Sequence, residues 1–530
     1  MAVKPKTNVV NLDALIPRAD LAVPSDETGN DIEVIQINGL ERKGMLYPGL
    51  RKPDFQRETA NWSPEQVADL VSTFARREMI PSIILWRAGS HVFVIDGAHR
   101  LSALIAWVQN DYGDGEKSRE FFQNEIPKEQ KAAADRTRAL IEAEVGSWDD
   151  HKKATEKPDN VRADIVARAS RIAWQSIDVQ WIKNADHEKA EKSFFRINQG
   201  GTKIDPTETR IIKARGSATA LASRAILRGG TGNSYWRKFP ESTRADIEDL
   251  GREIHALLFE PRITLPIQTL DLPPAGFGYG PGVLPFVFDL VNLVNSVAVP
   301  DSSNKRITTK EPTLVDDPDG KRTVSYLRKV LELARRLCSK DPSSVGLAPA
   351  LYFYTESGVF QPASFLSFVG WMLPWKTADY SRFTDARRVF EDFLLANRKT
   401  TEAVRSLGSG GRSRPRLVHL YDRIIADAAN GKSAETIAAE LVEEKDFDFL
   451  KSGSHETHDR SGEAFTRDVK GTAYLAHALP GAALRCATCD GLLYSRAMQV
   501  GHREAKRLGG SGNASNAIMQ HPFCNSTHAN

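Results

Sequence analysis

Leu484-Arg-Cys486-Ala-Thr-Cys489 and His521-Pro-Phe-Cys524 bracket the C-terminal end of the chain, and between them stand Val500-Gly-His502-Arg and Gly509-Gly-Ser-Gly-Asn-Ala-Ser-Asn516. Four soft or borderline ligands therefore come in two pairs, spaced C-x-x-C and H-x-x-C. Each pair can form a knuckle, and two knuckles can meet one tetrahedral zinc ion. Three of the chain's four cysteines fall in this cluster. That distribution points to a metal site in a reducing compartment, not to a disulfide framework. The fourth, Cys338, lies in a helical pattern and reads as a core or surface thiol.

The residues between the knuckles suit phosphodiester chemistry. A metal nuclease needs a base to activate water, a hard cation to stabilise charge gathering on phosphate, and a frame that holds both. His502 can be that base, because a neutral imidazole with a reference pKa of roughly 6.5 accepts a proton near pH 7. Gly509-Gly510 lets the chain double back into a hairpin, and Asn516 is placed to orient the base's loop or the histidine itself. Asn525 and His528, on a final helical turn, can hold the catalytic cation. Zinc on Cys486, Cys489, His521 and Cys524 would staple a unit too small to build its own core.

This arrangement resembles the HNH endonucleases, whose ββα-metal fold carries C-x-x-C knuckles around a His–Asn–Asn/His constellation; the resemblance covers about 484 to 530. It implies His502 as general base, Asn516 as the central Asn and Asn525 as the final cation ligand, with His528 as substitute or helper. His502, Asn525 and His528 are then the candidate ligands of a catalytic Mg²⁺, Mn²⁺ or similar ion. Two positions depart from the family pattern. Many members carry an acidic residue or His just before the base as a cation ligand, and here that position is Gly501. The second knuckle has His521 in place of a usual Cys, which remains a sound zinc ligand. The rival reading is a non-catalytic DNA-binding or partition-like protein with a structural zinc ribbon.

At 530 residues the chain needs several domains, and its 41% apolar and 26% charged content is ordinary for a globular protein. The overall charge of +3 says little, but from Gly481 to Asn530 five Arg or Lys stand against two acids. A small basic module suits a polyanion. No apolar run is long enough to span a membrane, and Met1-Ala-Val-Lys-Pro-Lys-Thr7 lacks the apolar stretch of a signal peptide, so a cytoplasmic location is expected.

A second constellation lies upstream. Ser63, Pro64 and Gln66 mark a helix start with a capping box, followed by a Val67, Leu70, Val71, Phe74 stripe. Ile83–Trp86 and Val92–Ile95 read as a hairpin, and Asp96-Gly97-Ala-His99-Arg100 then puts a carboxylate and a cation at the mouth of a new helix, where an anion is favoured. Pro53-Asp-Phe55-Gln56-Arg57 precedes it, and Phe195-Arg196-Ile-Asn198-Gln-Gly200-Gly201 follows. Each signal alone is weak. In this order they resemble the ParB-like domain that opens the GmrSD-type restriction enzymes and the related SspE defence nucleases, over about 35 to 215. That resemblance implies binding and hydrolysis of an NTP, with Gln56, Arg57, Asp96, Gly97, His99, Arg100, Arg196 and Asn198 as nucleotide-binding residues, and control of an attached nuclease. Ala98 replaces a common Gln.

The expected architecture is α+β and multidomain: an arm over 1–30, a ParB-like α/β sensor and NTPase domain over 31–215, and a largely helical region over 216–450. A linker with a lead-in helix fills 451–480, and a zinc-stapled ββα-metal (HNH) module fills 481–530. Loops are expected at 271–282, 299–321 and 405–415, the last a basic, Gly-rich and solvated one. Gly431-Lys432-Ser433 is no P-loop, because Ala426 stands where its first Gly belongs. The expected function is an anti-phage DNA endonuclease acting on double-stranded DNA, modified or phage DNA included. Expected cofactors are a structural Zn²⁺, a catalytic divalent cation and an NTP; no membrane partner is expected, and a homo-oligomer stays open.

Overall fold

A computed structural model describes residues 9–19, 31–53, 62–122, 126, 128–172, 174–183, 185, 189–190, 192–193, 196–197, 206–231, 235–278, 282–297, 314–398, 410–450 and 467–528. The N-terminal part is built on a six-stranded mixed sheet. Its strands are β1 (Arg18–Ala19), β2 (Val34–Gln36), β3 (Leu50–Pro53), β4 (Ile83–Ala88), β5 (His91–Asp96) and β6 (Ser176–Trp181), in the order β1-β3-β5-β4-β6-β2. The expected hairpin is present, with β4 antiparallel to β5. β3 runs parallel to β5, so both strands finish at the same end of the sheet.

Alternation along the strands gives the sheet two apolar faces. Val92 and Val94 of β5 face one core, while Phe93 and Ile95 face another. The first is covered by α1 (Pro64–Ala75), α2 (Ala98–Gln109) and, beyond α3 (Glu116–Phe121), by α4 (Lys128–Glu144), α5 (Trp148–Glu156) and α6 (Ala163–Ile172). Helix α1 starts where the capping box places it: Ser63 Oγ accepts the Gln66 N–H at 3.3 Å, and Gln66 Oε1 accepts the Ser63 N–H at 3.0 Å. The second face carries Ala190, Ile197 and Ile212. Strand β2 is short and passes directly into a 3₁₀ turn at Ile37–Leu40.

The N-terminal arm is stitched into this layer. Val10 bridges to Trp62, and β1 adds a parallel edge strand to β3. The fully buried Asp13 carboxylate binds Lys52 at 2.7 Å, Arg18 at 2.8 Å and Arg228 at 3.4 Å. Burial alone would raise its pKa, but Arg18, Lys52 and Arg228 together hold it well below the usual carboxylate range. Arg228 follows α8 of the helical region, so this cluster also ties the two parts together.

That helical region comprises α7 (Pro206–Lys213), α8 (Ala218–Leu227), α9 (Glu241–Phe259), α10 (Val283–Val294), α11 (Lys321–Cys338), α12 (Pro349–Tyr352), α13 (Pro362–Met372), α14 (Thr377–Ala396), α15 (Gly410–Ala429) and α16 (Ala434–Glu443). One correction to the expected loops concerns 405–415. Helix α15 already begins at Gly410, with Ser413 buried and Arg414 against Gly370, so the basic Gly-rich stretch is helical from that point. The apolar stripe Leu417, Leu420, Tyr421, Ile424 draws the helix into the core and carries its N-terminal turn with it. Cys338 is a core thiol whose pKa is raised by burial.

After α17 (Arg467–Gly481) come β7 (Gln499–His502), β8 (Ala517–Gln520) and α18 (Pro522–His528). β7 and β8 form an antiparallel hairpin, pairing Gln499 with Gln520, Gly501 with Ile518 and His502 with Ala517. Leu492, Tyr494, Ala497 and Phe523 of this end belong to the same apolar core as the helical region. The small hairpin therefore borrows a core it could not build alone. No helix among the described residues is long and apolar enough to cross a membrane.

Candidate metal centre

The four ligands singled out in the sequence converge. The ligand atoms of Cys486, Cys489, His521 and Cys524 all lie within 4.8 Å of one another. His521 Nδ1 stands 3.3 Å from Cys489 Sγ and 3.9 Å from Cys524 Sγ. A tetrahedral zinc with bonds of about 2.3 Å to sulfur and about 2.0 Å to nitrogen needs ligand atoms roughly 3.5 Å apart, so the donor set fits such an ion. The first knuckle is shaped by its own backbone: the Cys486 N–H donates to Gly491 O at 2.8 Å, the Asp490 N–H donates to Cys486 O at 2.9 Å, and Asp490 takes a positive φ of 55°. The Ala487 N–H donates to Met519 O at 2.9 Å, which locks this knuckle to β8.

The histidine is prepared as a ligand. Its Nε2 donates to Leu492 O at 3.0 Å, which leaves the Nδ1 lone pair facing the sulfurs. Burial, then the nearby Arg387, lower its pKa and favour the neutral ring. Among the thiols, hydrogen bonds from Cys489 and then Cys524 pull Cys486 down, while bonding to Cys486 pushes Cys489 up to about 11 and Cys524 higher still. Three sulfurs this close share one ionisation unless a cation holds them together. The cluster can therefore hold a metal ion such as zinc.

Arg387 and Glu391 of α14 are the main residues behind this centre that sequence reasoning missed. They form a buried ion pair at 2.8 Å, with side chains only 2% and 0% exposed. Arg387 donates to the carbonyls of Val345 and Gly346, and reaches Leu492 O at 3.5 Å. Glu391 accepts from the Leu492 N–H and, at 2.8 Å, from the Tyr352 hydroxyl. Leu492 thus joins the histidine ligand to a buried charge pair in the helical region. Gly491 is required beside it, since a Cβ there would lie 2.5 Å from Arg387 Nε.

The hairpin places His502 at the end of β7, half-buried. Asn516 does not hold the imidazole; it holds the loop that follows. Its Oδ1 accepts the Glu504 N–H at 2.7 Å, and its Nδ2 donates to Glu504 O at 3.0 Å and Ser511 O at 2.8 Å. Gly510 is part of that turn, because a Cβ there would sit 1.8 Å from Glu504 O. Asn525 lies on α18, and its Nδ2 donates to Gln499 Oε1 at 2.8 Å. Gln499 in turn donates to Lys340 O at 2.8 Å. A Cβ at Gly501 would fall 2.7 Å from Asn525 Oδ1, so the residue before His502 and the helix residue Asn525 face one spot. His528 closes α18, and the structure describes its backbone alone.

The upstream constellation is partly in view. Asp96 ends β5, Gly97 caps α2 with a φ of +88°, and His99 and Arg100 stand in the first turn. A Cβ at Gly97 would meet Ile83 Cδ1 at 2.5 Å, so the tight strand-to-helix passage needs glycine. Arg100 binds Asp96 at 2.8 Å and Ser82 O at 3.2 Å, and His99 stacks on Trp62 with ring centroids 5.6 Å apart.

Residues 36–215 match the family model of the GmrSD restriction endonuclease, N-terminal domain. That segment is similar to the N-terminal domain of GmrSD-type restriction enzymes. No curated protein and no solved structure matches the chain. Within the matched segment, Asp96, Gly97, His99 and Arg100 sit together at the C-terminal end of β5, the same end of the sheet at which β3 finishes. Arg196 is exposed, beside Ile197 on the opposite face of the sheet. Gln56, Arg57 and Asn198 lie outside the described residues.

Proposed function

We propose that this chain is a metal-dependent DNA endonuclease of the restriction, anti-phage type, in which an HNH unit cuts and a ParB-like GmrSD-type domain controls it. One observation carries the reading. On a hairpin and helix held by a Cys₃His cluster, His502 ends the first strand, Asn516 pins the loop after it, and Asn525 faces the position before it. This order and placement support an HNH site. The zinc-held frame and the match over residues 36–215 support it from both ends of the chain.

In this mechanism His502 takes the proton of the attacking water as general base. Asn516 does not touch substrate; it keeps the 503–511 loop, and so His502, in one geometry. Asn525, aimed by Gln499, offers a side-chain oxygen to the catalytic cation, with His528 as the second candidate ligand. When bound, that ion stabilises the negative charge developing on the phosphate. The basic residues Arg485, Arg496, Arg503, Lys506 and Arg507 supply the sequence-independent attraction to DNA backbone. The N-terminal domain, in this reading, senses modified DNA or binds and hydrolyses an NTP at the Asp96–Arg100 edge, and the protein works in the cytoplasm.

The test is plasmid nicking with Mg²⁺ or Mn²⁺. Wild type should nick or linearise the plasmid, and His502→Ala should abolish this with zinc content and folding unchanged. Undiminished cutting by His502→Ala removes the assignment. Nucleotide binding should weaken in both Asp96→Ala and Arg100→Ala, and equal affinity in all three proteins leaves the N-terminal domain as a scaffold.

A further inference from the structure

Gly501 leaves the HNH reading short of a cation ligand, and the structure shows what fills the space. A Cβ at 501 would lie 1.8 Å from Gln520 Oε1 and 2.7 Å from Asn525 Oδ1. Gln499, Gly501, Ile518 and Gln520 share one face of the β7–β8 hairpin, because Gln499 pairs with Gln520 and Gly501 with Ile518. Gln520 is 3% exposed. Its Nε2 donates to Thr488 Oγ1 at 2.6 Å, which turns Oε1 toward Gly501. That oxygen is buried and receives no hydrogen bond. On the other side Asn525 is fixed the same way: its Nδ2 is held by Gln499, and its Oδ1 is left to face Gly501. Two amide oxygens thus face Gly501, and the buried one on Gln520 is left without a donor. Such a pair is costly unless something positive satisfies it.

We propose that Gln520, resting on the HNH reading above, is a ligand of the catalytic cation and takes the place of the acidic residue absent at position 501. Hard divalent cations accept amide oxygens, with bonds of about 2.1 Å for Mg²⁺, and both oxygens lie against Gly501 on the same side of the hairpin. The exchange has a chemical consequence. A carboxylate would carry negative charge into the site, whereas Gln520 and Asn525 carry none. Affinity for divalent oxygen-seeking ions rises with ligand charge. The site therefore holds its cation weakly until a DNA phosphate supplies the charge, and the metal and the scissile phosphate arrive as one unit. It also explains Gly501: no side chain fits there while Gln520 Oε1 occupies the space.

The experiment is a Mn²⁺ titration followed by electron paramagnetic resonance on the full-length zinc-loaded protein, with and without a short duplex carrying phosphorothioate linkages. Wild type should bind Mn²⁺ at least about tenfold more tightly with the duplex than without it. Gln520→Glu should raise the DNA-free affinity at least about tenfold, and Gln520→Met should lower affinity in the presence of duplex by a similar factor. Gly501→Asp with Gln520→Ala, which moves the ligand across the hairpin, should match or exceed wild type, while Gly501→Asp alone should not. Zinc content checks folding; if Gln520→Met loses zinc, the Glu variant and the relocated pair still decide the matter. Wild-type affinity in both Gln520→Met and Gln520→Glu overturns the role of Gln520 alone. No Mn²⁺ binding by wild type with duplex, together with no plasmid nicking, overturns the nuclease reading as well.

Discussion

Arg387→Ala should loosen the metal module from the helical region, and the cost can be worked from its partners. The guanidinium is 2% exposed, sits 2.8 Å from a fully buried Glu391, and donates to the carbonyls of Val345 and Gly346. Cutting it back to Ala leaves the Glu391 carboxylate in the core with only the Tyr352 hydroxyl and the Leu492 N–H as donors. Breaking one side of a buried pair costs about 3–5 kcal/mol, because the remaining charge is stranded away from water. For a cooperative unit of this size each kcal/mol moves the melting temperature by about 2 °C, so a fall of roughly 6–10 °C is expected. The loss should be local. Residues of the N-terminal sheet pack in a separate core, so calorimetry should show one transition shifted and the other in place. The same perturbation should reach the metal, since Leu492 O is shared by Arg387 and His521. Zinc release to a chromophoric chelator should therefore be faster in Arg387→Ala. A double-mutant cycle with Glu391→Ala separates the pair from its surroundings: the double variant should lose clearly less than the two singles added together. A shift below about 1 kcal/mol, or an additive cycle, would refute the view that this pair clamps the module.

Three further outcomes follow from the same geometry. Cys524→Ser, or a strong chelator on wild type, should remove the metal and lower the melting temperature of the C-terminal transition; a protein with unchanged melting and no bound metal would show the cluster to be unused. Asn516→Ala removes three hydrogen bonds that hold the 503–511 loop, each worth about 0.5–1.5 kcal/mol. DNA cutting should fall at least about tenfold while zinc content stays at the wild-type level, and full activity would deny the loop any part in placing His502. His151 reports on pH. Burial lowers its pKa, its Nε2 is bound to Val145 O at 3.0 Å, and its buried Nδ1 has no partner for an added proton. Its folded pKa lies below its unfolded one, so the stability it supports is full above the unfolded value of roughly 6.5 and is lost as pH falls toward the folded value. Melting of the N-terminal transition should drop over that window, and His151→Gln should flatten the slope; an unchanged slope counts against the assignment.

What was legible in the sequence shares a physical property: it is local. Cys486 and Cys489 form their knuckle within one turn, Ser63 and Gln66 cap their own helix, and the β4–β5 hairpin closes within a few residues. The two knuckles meet across a longer gap, yet four soft ligands with paired spacing leave little else for them to do. Asp96 and Arg100 were placed correctly at one mouth, but their charges meet each other, which spacing alone does not reveal.

The features that escaped are those whose meaning depends on a distant partner. A charged pair at i and i+4 on a helix, such as Arg387 and Glu391, ordinarily reads as a solvated face. Nothing in its spacing says that Val345, Gly346 and Leu492 close over it from two separate stretches of chain. Gln520 escaped for a different reason. A search for cation ligands looks for acids and histidines, and a neutral amide beside His521 passes as part of the knuckle. Its signal was Gly501: a missing side chain in a site that needs a ligand asks which neighbour has moved into the space. The hairpin register answers that question, because Gln520 lies on the same face as Gly501 and Asn525 faces that glycine from the helix. The two omissions are one lesson about this module. Its ligands are local, but the groups that aim them, from Lys340 through Gln499 to Asn525 and from Glu391 through Leu492 to His521, run back into the helical region. A hairpin held in this way is an extension of the helical region's core, and any signal that shifts the 340–347 stretch or α14 has a direct path to both the Cys₃His cluster and the cation ligands we propose.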